Sequence, residues 1–273
     1  MPELPEVETV KNTLKKQILN KKIKQVIIYH PNTIEYPSTE ELQHQIINET
    51  IKDIKRRGKW LMFELDNYYL LSHLRMEGKY FIRNSKEEKL KYELVTFEFQ
   101  DQTTLRYCDM RKFGKMHLLP KDTINEVPPL NELGLEPWDN HLTQTYLKEK
   151  WNKKTLPIKT ALLDQTVIVG IGNIYADEIL FLSNLNPLKK ANTLTTKERE
   201  NIIINTRKVL EQAIKDGGTT IRSYTSSEGV HGRFQQQLLV HNQENKECQN
   251  CHTKIIKIKV GGRGTYYCPT CQK

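Results

Sequence analysis

The spacing of apolar residues divides the first half of the chain into one helix and a β-rich stretch. Apolar residues recur at helical spacing after Pro5, which predicts a helix over residues 3–18. Short runs rich in β-branched and aromatic residues follow, separated by turn residues or charged gaps. The strands predicted from these runs are 22–29, 60–65, 69–74, 78–83, 93–99, 103–107 and 114–119. Their even spacing favours an antiparallel sandwich or barrel.

Helical periodicity returns after a stretch rich in proline and glycine. That stretch spans residues 120–140 and indicates a connection between domains, which we place at residues 131–150. The sequence Thr195-Thr196-Lys197-Glu198 predicts a capped helix start, and Gly217-Gly218 predicts the end of that helix. Residues 219–234 are polar and aperiodic, which predicts a long loop of the kind that often carries function.

Composition adds a basic charge to this picture. The 273 residues carry 42 Lys and Arg against 33 Asp and Glu, a formal net charge of +9. Such an excess favours a polyanionic partner, with nucleic acid first and an anionic membrane surface second. There is no apolar run of about 18 residues, which excludes a transmembrane helix. The N-terminus is acidic and proline-rich, unlike a secretory signal.

Four of the five cysteines form two closely spaced pairs near the C-terminus. The pairs Cys248-x2-Cys251 and Cys268-x2-Cys271 have the spacing of a four-thiolate structural zinc site. Two disulfides or an iron–sulfur cluster are the alternatives, and the zinc interpretation fits a reduced intracellular protein. The remaining cysteine, Cys108, is expected to be an inert buried residue in a strand.

Basic residues between the two cysteine pairs project from what should be a β-hairpin. These residues are Lys254, Lys257, Lys259 and Arg263. Such an excess can be a solvated face, but beside a zinc-bound hairpin it favours binding to nucleic acid.

The N-terminus offers a candidate nucleophile in Pro2. Removal of Met1 would leave a terminal secondary amine, which titrates near pH 8 and can attack an aldehydic carbon to form a cationic iminium. Glu3 beside it could move protons. The alternative is structural: Pro2 and Pro5 stiffen the start of the helix and the glutamates complement its dipole.

Three further segments carry candidate chemistry, each with a plain alternative. Lys59 follows a basic run and enters a strand, so it either faces a specific site or belongs to a solvated face. Met76 and Phe113 lie in predicted turns, where they are candidate wedges between DNA bases or ordinary core residues. Asn173 follows Gly170-Ile171-Gly172 at a helix start, where it could bind an anion or cap the helix.

Together these segments resemble the formamidopyrimidine-DNA glycosylase family along essentially the whole chain. The resembling segments are 2–10, 57–59, 72–78, 109–114, 169–176 and 262–268, in this order and together with the terminal cysteine pairs. The resemblance favours the functional alternatives for Pro2 and Asn173. It implies a two-domain α+β protein with an N-terminal β-sandwich flanked by helices, a helical helix–two-turns–helix domain and a zinc-finger β-hairpin.

In residue numbers, the domains expected are a catalytic β-sandwich over 1–130, a linker over 131–150, a DNA-binding helical domain over 151–234 and a four-cysteine zinc finger over 238–273. The loop at 219–234 would cap the damaged base. One structural zinc ion is expected, bound by Cys248, Cys251, Cys268 and Cys271.

The resemblance also implies roles for individual residues. Pro2 would be the nucleophile, Glu3 the acid and base, and Lys59 and Arg263 would assist the elimination steps. Residues expected to contact DNA are Met76, Tyr92, Arg111, Phe113, Lys153, Lys159, Asn173 and Arg263. Met76, Arg111 and Phe113 would fill the space left by a flipped nucleotide. Residues expected to line the lesion pocket are Glu6, Glu77, Thr219, Thr220, Arg222 and Tyr224.

One position departs from the family pattern. Tyr92 stands where the family commonly has a DNA-contacting histidine, and a tyrosine can donate a hydrogen bond to a phosphate but carries no positive charge. The register of the basic segment that contains Lys153 and Lys159 is also loose, because an insertion or deletion separates the two residues.

The function expected is base-excision repair by a bifunctional DNA glycosylase and abasic-site lyase. It would remove oxidised purines such as 8-oxoguanine and formamidopyrimidines through an N-terminal proline Schiff base, with β,δ-elimination of the strand. Its partner would be damaged double-stranded DNA, with no membrane partner, and the protein would be a bacterial, cytoplasmic, nucleoid-associated monomer. The alternatives are an endonuclease VIII-like enzyme for oxidised pyrimidines and a non-catalytic zinc-ribbon DNA-binding protein.

Overall fold

A computed structural model describes residues 1–219 and 233–273, and these separate into two compact units. The first unit comprises residues 1–131, and the second comprises residues 132–219 with 233–273. The linker predicted at 131–150 therefore differs from the structure. Residues 132–150 belong to the second unit because Leu135 bridges to Ile168 and a helix ending at Trp151 buries that indole. No helix of the described ranges is long and apolar enough to cross a membrane.

The first unit is a β-sandwich with two helices. Its helices are α1 (Leu4–Ile18) and α2 (Thr39–Gln45), and its strands are β1 (Ile23–Ile28), β2 (Ile34–Tyr36), β3 (Asp53–Arg57), β4 (Trp60–Glu64), β5 (Tyr68–His73), β6 (Lys79–Asn84), β7 (Glu93–Phe99), β8 (Thr103–Cys108) and β9 (Lys115–Pro120). One sheet has the order β1-β7-β8-β6 and the other β2-β9-β5-β4-β3. All pairs are antiparallel except β2 with β9. The sandwich alternative is confirmed.

One apolar core joins the two sheets and α1. It includes Val10 and Leu14 of α1, Phe63 of one sheet and Phe97 of the other. Alternating inward residues predict most of these strands correctly, because each strand has one buried face. The helix predicted at 3–18 is confirmed as α1, which begins one residue later.

The second unit combines helices with a β-hairpin. Its elements are α3 (Gln144–Trp151), α4 (Ile158–Leu162), α5 (Asn173–Leu182), α6 (Thr196–Lys215), β10 (Ile256–Val260) and β11 (Arg263–Tyr267). The capped start of α6 is confirmed, since the Thr195 hydroxyl accepts from the Glu198 amide and the Glu198 carboxylate accepts from the Thr195 amide. Two turns over residues 163–172 join α4 to α5, and α5 packs against both α6 and β11.

Candidate active site and zinc site

Pro2 is buried at the start of α1, where two buried glutamates follow it in the sequence. Pro2 is buried, Glu3 is 1% exposed and Glu6 is 6% exposed. Glu3 and Glu6 form a capping box, in which the Glu3 amide donates to the Glu6 carboxylate at 2.9 Å. The capping box fixes the backbone that follows Pro2. The structural role predicted for the glutamates is therefore present at the start of α1.

The hairpin that carries Lys59 is tied directly to this helix. The side chain of Arg56 on β3 donates to Glu8 of α1 at 2.9 Å and to the backbone oxygen of Gly58 at 2.9 Å. Burial raises the pKa of Glu8, but hydrogen bonds from Lys11 and Arg56 outweigh it and hold the pKa below its usual value. Lys59, only 7% exposed, is therefore not part of a solvated face. It occupies the β3–β4 turn, which the Arg56 contacts fasten to α1.

His73 connects the Lys59 hairpin to the next loop. Its ring packs edge-on against Trp60, with centroids 4.8 Å apart, and its Nδ1 accepts from the Arg75 amide at 3.0 Å. Burial, followed by the charges of Arg75 and Lys59, lowers the pKa of His73 to about 3. The imidazole is therefore neutral at neutral pH, which leaves Nδ1 free to accept this hydrogen bond. Sequence reasoning missed this role of His73.

Met76 lies at the tip of the loop that follows His73, here named the Met76 loop (residues 74–78). The Gly78 amide closes this loop by donating to the Leu74 oxygen at 2.9 Å, and Arg75 adopts a left-handed backbone with φ 52°. Met76 is 38% exposed. The alternative that Met76 is a core residue is wrong.

Arg111 and Phe113 lie on a second loop, the Phe113 loop (residues 109–114). The buried carboxylate of Asp109 accepts from the backbone amides of Arg111, Phe113 and Gly114 at 3.0, 2.9 and 2.9 Å. Phe113 is 50% exposed and the Arg111 guanidinium lies 4.7 Å from its ring centroid. Phe113 is thus also not a core residue. Asp109 was missed as the organiser of this loop, although an Asp before a short turn is a recognised signal.

Tyr92 and Glu77 line one cavity beside the Phe113 loop. The cavity has a volume of about 210 Å³, and Asp109 and Cys108 are among the other residues that line it. The backbone amide of Asp109 donates to the backbone oxygen of Tyr92 at 3.0 Å. The Tyr92 ring is exposed, and the Lys91 ammonium lies 5.0 Å from its centroid. The structure therefore brings Glu77 and Tyr92 together, with a lysine beside the tyrosine. Cys108 is buried, and burial raises the pKa of its thiol to about 12, as expected of an inert residue.

In the second unit, Asn173 contacts Gly264, the residue that follows Arg263. Gly172 is the N-cap of α5, so the capping alternative for Asn173 is wrong. The Asn173 side-chain amide donates instead to the Gly264 oxygen at 2.9 Å. Arg263 is exposed at the start of β11, after a two-glycine turn in which both residues have positive φ. The two residues expected to bind phosphate are thus on adjoining segments.

The expectation that Lys159 contacts DNA is wrong. Its side chain is fully buried and forms an ion pair with the equally buried Asp177, which also bonds His241 Nδ1 at 2.7 Å. The Lys159 Nζ also donates to the backbone oxygen of Asn173 at 3.1 Å. The cause is tertiary, since Asp177 and its buried surroundings are 18 residues away along the chain. Lys153, by contrast, is exposed.

The two lysines should respond oppositely to substitution. Lys159→Met leaves Asp177 buried without its cation, so we expect a loss of about 3–5 kcal/mol of unfolding free energy. Lys153→Ala should leave stability unchanged and reduce the slope of log binding constant against log salt by about one. Denaturant unfolding and DNA titrations at several salt concentrations measure both. If Lys159→Met kept the stability of the wild type but reduced the slope of log binding constant against log salt, Lys159 would contact DNA and the conclusion would be overturned.

The remaining lesion-pocket candidates fall at the edge of the described chain. Thr219 is buried just after the α6 C-terminus. Thr220, Arg222 and Tyr224 lie outside the described residues, as does most of the loop predicted at 219–234.

The four cysteines of the two pairs converge on one point. Their sulfur atoms all lie within 4.8 Å of one another, with Cys248 Sγ 3.8 Å from Cys271 Sγ. A tetrahedral site with Zn–S bonds of about 2.3 Å places sulfurs about 3.8 Å apart, so the donor set fits zinc. No pair is within disulfide distance, and all five cysteines are free.

Family models account for both units. The formamidopyrimidine-DNA glycosylase N-terminal domain matches residues 1–116, the H2TH domain of that glycosylase matches 133–225, and a zinc finger found in FPG and IleRS matches 245–273. The chain is therefore an α+β DNA-repair glycosylase by class. It belongs to the formamidopyrimidine-DNA glycosylase family.

Individual relatives agree with this assignment. The formamidopyrimidine-DNA glycosylase of Oceanobacillus iheyensis is 49% identical over 100% of this chain and 98% of its own, and that of Bacillus subtilis is 47% identical over 100% and 99%. Among solved structures, a complex of a mutant Lactococcus lactis FPG with Fapy-dG-containing DNA has a TM-score of 0.93 at 38% identity. The match covers 100% of both chains.

The resemblance and the fold expected from the sequence are confirmed. The protein is a base-excision repair DNA glycosylase with abasic-site lyase activity, and the four cysteines bind one structural zinc ion. The alternative of a non-catalytic zinc-ribbon protein is excluded, because glycosylase domains match residues 1–116 and 133–225 in addition to the zinc finger at 245–273.

Proposed function

We propose that the protein removes 8-oxoguanine and formamidopyrimidines from double-stranded DNA through a Schiff base on Pro2. The observation that carries this proposal is the buried start of α1, where Pro2 precedes Glu3 and the Lys59 hairpin is fastened to the same helix through Arg56. A nucleophile, a carboxyl group and a cation on linked elements are the parts that amine-based lyase chemistry needs.

The chemistry follows from a terminal secondary amine at Pro2. Its lone pair attacks C1′, the bond from C1′ to the base nitrogen breaks, and the base leaves with a proton. Glu3 protonates the sugar ring oxygen as the ring opens to the iminium. The cationic iminium acidifies the C2′ proton, whose removal expels the 3′ phosphate, and a second elimination through C4′ expels the 5′ phosphate. Water then hydrolyses the Schiff base and restores Pro2.

Lys59 and Arg263 would assist from the phosphate side. Both carry basic side chains, which stabilise the phosphate charge that develops on a leaving group. Asn173 would bind a neighbouring phosphate through its amide N–H groups, one of which already donates to Gly264. In this proposal Lys59 of the first unit assists the elimination steps, and Asn173 and Arg263 of the second unit form a phosphate clamp.

Oxidised pyrimidines are a second candidate substrate class. One solved structure describes wild-type Lactococcus lactis Fpg with DNA that contains an oxidised pyrimidine, with a TM-score of 0.90 and 38% identity to this chain. A purine preference is supported by the Met76, Arg111 and Phe113 pattern and by the long polar sequence at 219–234. Excision assays on 8-oxoguanine and on an oxidised cytosine in the same duplex would rank the two classes.

Borohydride trapping on an 8-oxoguanine·cytosine duplex tests the proposal. Reduction of the iminium should leave a stable protein–DNA adduct, and peptide mapping should place the DNA on Pro2. Trapping of undamaged duplex is the control and should give no adduct. An adduct on Lys59, or strand cleavage with no trappable intermediate, would contradict the assignment.

Truncation of the loop tips should impair excision and leave the fold intact. Met76 and Phe113 are exposed, so Met76→Ala and Phe113→Ala should change stability by less than about 0.5 kcal/mol. Binding to undamaged duplex should persist because phosphate contacts remain. Single-turnover excision of 8-oxoguanine should fall about tenfold or more, because restacking of the flipped nucleotide is favoured by a few kcal/mol.

Arg111→Ala should in addition relax the preference for cytosine opposite the lesion, since its hydrogen bonds to that base would be lost. Ile204→Ala is the control, because Ile204 is also an exposed apolar side chain but lies on α6. It should leave excision unchanged. A loss of about 2–5 kcal/mol in the two loop variants, with normal excision by the folded fraction, would show that their side chains act in packing.

The remaining features of the proposal concern organisation and location. We propose a monomer in solution and a bacterial cytoplasmic enzyme associated with the nucleoid. The basic net charge of +9 supports the nucleoid association, because it favours general binding to DNA. Sedimentation with and without duplex DNA checks the oligomeric state.

A further inference from the structure

The Met76 loop and the Phe113 loop lie at one corner of the sandwich. The Met76 loop leads from β5 to β6, and the Phe113 loop leads from β8 to β9, so each crosses from one sheet to the other. Strand pairing fixes both ends of both loops: His73 is opposite Lys115, and Lys79 is opposite Cys108. The two loops are therefore neighbours whose bases are held rigidly while their tips are exposed.

The side chain of Tyr107 contacts both loops at this corner. Tyr107, fully buried in β8, directs its hydroxyl at the glycine that ends each loop. A Cβ added to Gly78 or to Gly114 would overlap the Tyr107 hydroxyl oxygen, and at Gly114 it would also lie 2.6 Å from Cζ. Both positions must therefore be glycine while Tyr107 is present. The phenol rests on the backbone of both loops.

These two glycines are also where each loop closes. The Gly78 amide donates to the Leu74 oxygen and the Gly114 amide donates to the Asp109 carboxylate, both at 2.9 Å. Contact with Tyr107 therefore acts at the closing hydrogen bond of each loop. A change in the volume of this side chain would therefore shift the position of Met76 on one loop and of Arg111 and Phe113 on the other.

The hydroxyl is not needed for packing of the core. Tyr107 Oη makes no hydrogen bond to any described residue, whereas the neighbouring Tyr80 hydroxyl donates to Ser72 at 2.7 Å. The rings of Tyr107 and Tyr80 are 5.1 Å apart and both are buried. A phenylalanine at 107 would keep the ring contacts and remove a buried polar group. The hydroxyl thus has a steric role toward the loops that stability alone does not explain.

We infer that Tyr107 is a positioning residue that sets the spacing of the two void-filling loops and, through it, base flipping and the choice of opposite base. This inference rests on the proposed function, in which Met76, Arg111 and Phe113 occupy the space of the flipped nucleotide. Tyr107 touches neither substrate nor reacting atoms, and its effect passes entirely through Gly78 and Gly114.

The test compares Tyr107→Phe with the matched control Tyr80→Phe. Tyr107→Phe should keep or raise thermal stability, since no hydrogen bond between described residues is lost. Its single-turnover excision of 8-oxoguanine opposite cytosine should fall about tenfold, as small misplacements of positioning groups do. Its preference for cytosine over adenine should fall as well. Tyr80→Phe should show the reverse pattern, with lower stability and normal excision and preference.

A single-stranded oligonucleotide with an abasic site separates positioning from chemistry. It has no opposite base, so Tyr107→Phe should cleave it at the wild-type rate. Equal losses on this substrate, or a Tyr107→Phe protein with wild-type excision and preference, would overturn the inference while leaving the proposed function intact. A wild-type protein that does not excise 8-oxoguanine would contradict the proposed function and the inference together.

Discussion

A protein that retains Met1 should lose excision by at least about a thousandfold, the order seen when an enzymatic nucleophile is removed. With Met1 attached, the Pro2 nitrogen belongs to a tertiary amide and has no lone pair available for C1′. Pro2→Leu is the direct test, because a large second residue prevents removal of Met1. The only terminal amine is then displaced by one residue, or about 3.8 Å, from the position that Pro2 occupies.

Pro2→Gly tests whether the enzyme needs a secondary amine or only a terminal amine at this position. Met1 is still removed, so a primary amine stands where the proline nitrogen was. Its imine is neutral until protonated and is a weaker electron sink, so excision should be slower than in the wild type but trapping should persist. Intact mass confirms the N-terminus of each variant, and single-turnover excision with borohydride trapping measures the chemistry.

Pro5→Ala is the matched control for both variants. Pro5 lies in the first turn of the same helix, where its fixed φ favours the helix, but its nitrogen is always an amide. Its replacement should therefore affect only stability, and slightly. If Pro2→Leu, with Met1 confirmed by mass, excised 8-oxoguanine at the wild-type rate, the Schiff base at Pro2 would be ruled out.

Local pattern predicts the elements whose burial alternates along the sequence. Helix α1, most strands, α6 and the zinc hairpin were found because apolar periodicity, capping residues and cysteine spacing are local signals. Strand β3 was missed because only Ile54 among its five residues is buried and the other four are charged. Helix α2 was missed although Ser38 and Glu41 form a capping box that the sequence displays.

The candidate site depends more heavily on tertiary contacts. The family resemblance identifies Pro2, Lys59 and Asn173, but the contact of Asn173 with Gly264 spans 91 residues. Burial of Lys159 likewise depends on its ion pair with Asp177, and no local sequence pattern predicts that pair. Tyr107 reads as an ordinary inward strand residue, and only the approach of two loop glycines to its hydroxyl distinguishes it. Such convergences are set by the packing of elements that are far apart along the chain, so single-sequence reasoning cannot find them.

Replacement of one zinc ligand should remove the phosphate clamp while the β-sandwich stays folded. Cys248→Ser eliminates a thiolate, and zinc binding supplies on the order of 10 kcal/mol or more of folding free energy in small zinc modules. The hairpin β10–β11 and the exposed Arg263 at its turn should therefore become disordered. The core of the first unit contains no residue of this module, so its unfolding transition should persist.

The structure also predicts how far the effect of Cys248→Ser spreads within the second unit. Cys248 packs with Phe181 of α5 and Val240 in one small cluster, and Glu178 of α5 accepts three backbone amides from residues 239–241. Loss of zinc should therefore loosen α5, which carries Asn173, and weaken duplex binding by more than one phosphate contact. The slope of log binding constant against log salt should decrease by about two.

Cys108→Ser is the control, since Cys108 is a buried cysteine outside the four-sulfur cluster. It should retain one zinc per chain and the wild-type salt slope, even where its stability is lower. Metal analysis, calorimetry and salt titrations on the full-length variants give the three readings. If Cys248→Ser lost zinc but bound duplex with an unchanged slope, Arg263 and Asn173 would not form the phosphate clamp. If native protein contained no stoichiometric zinc, the metal site itself would be refuted.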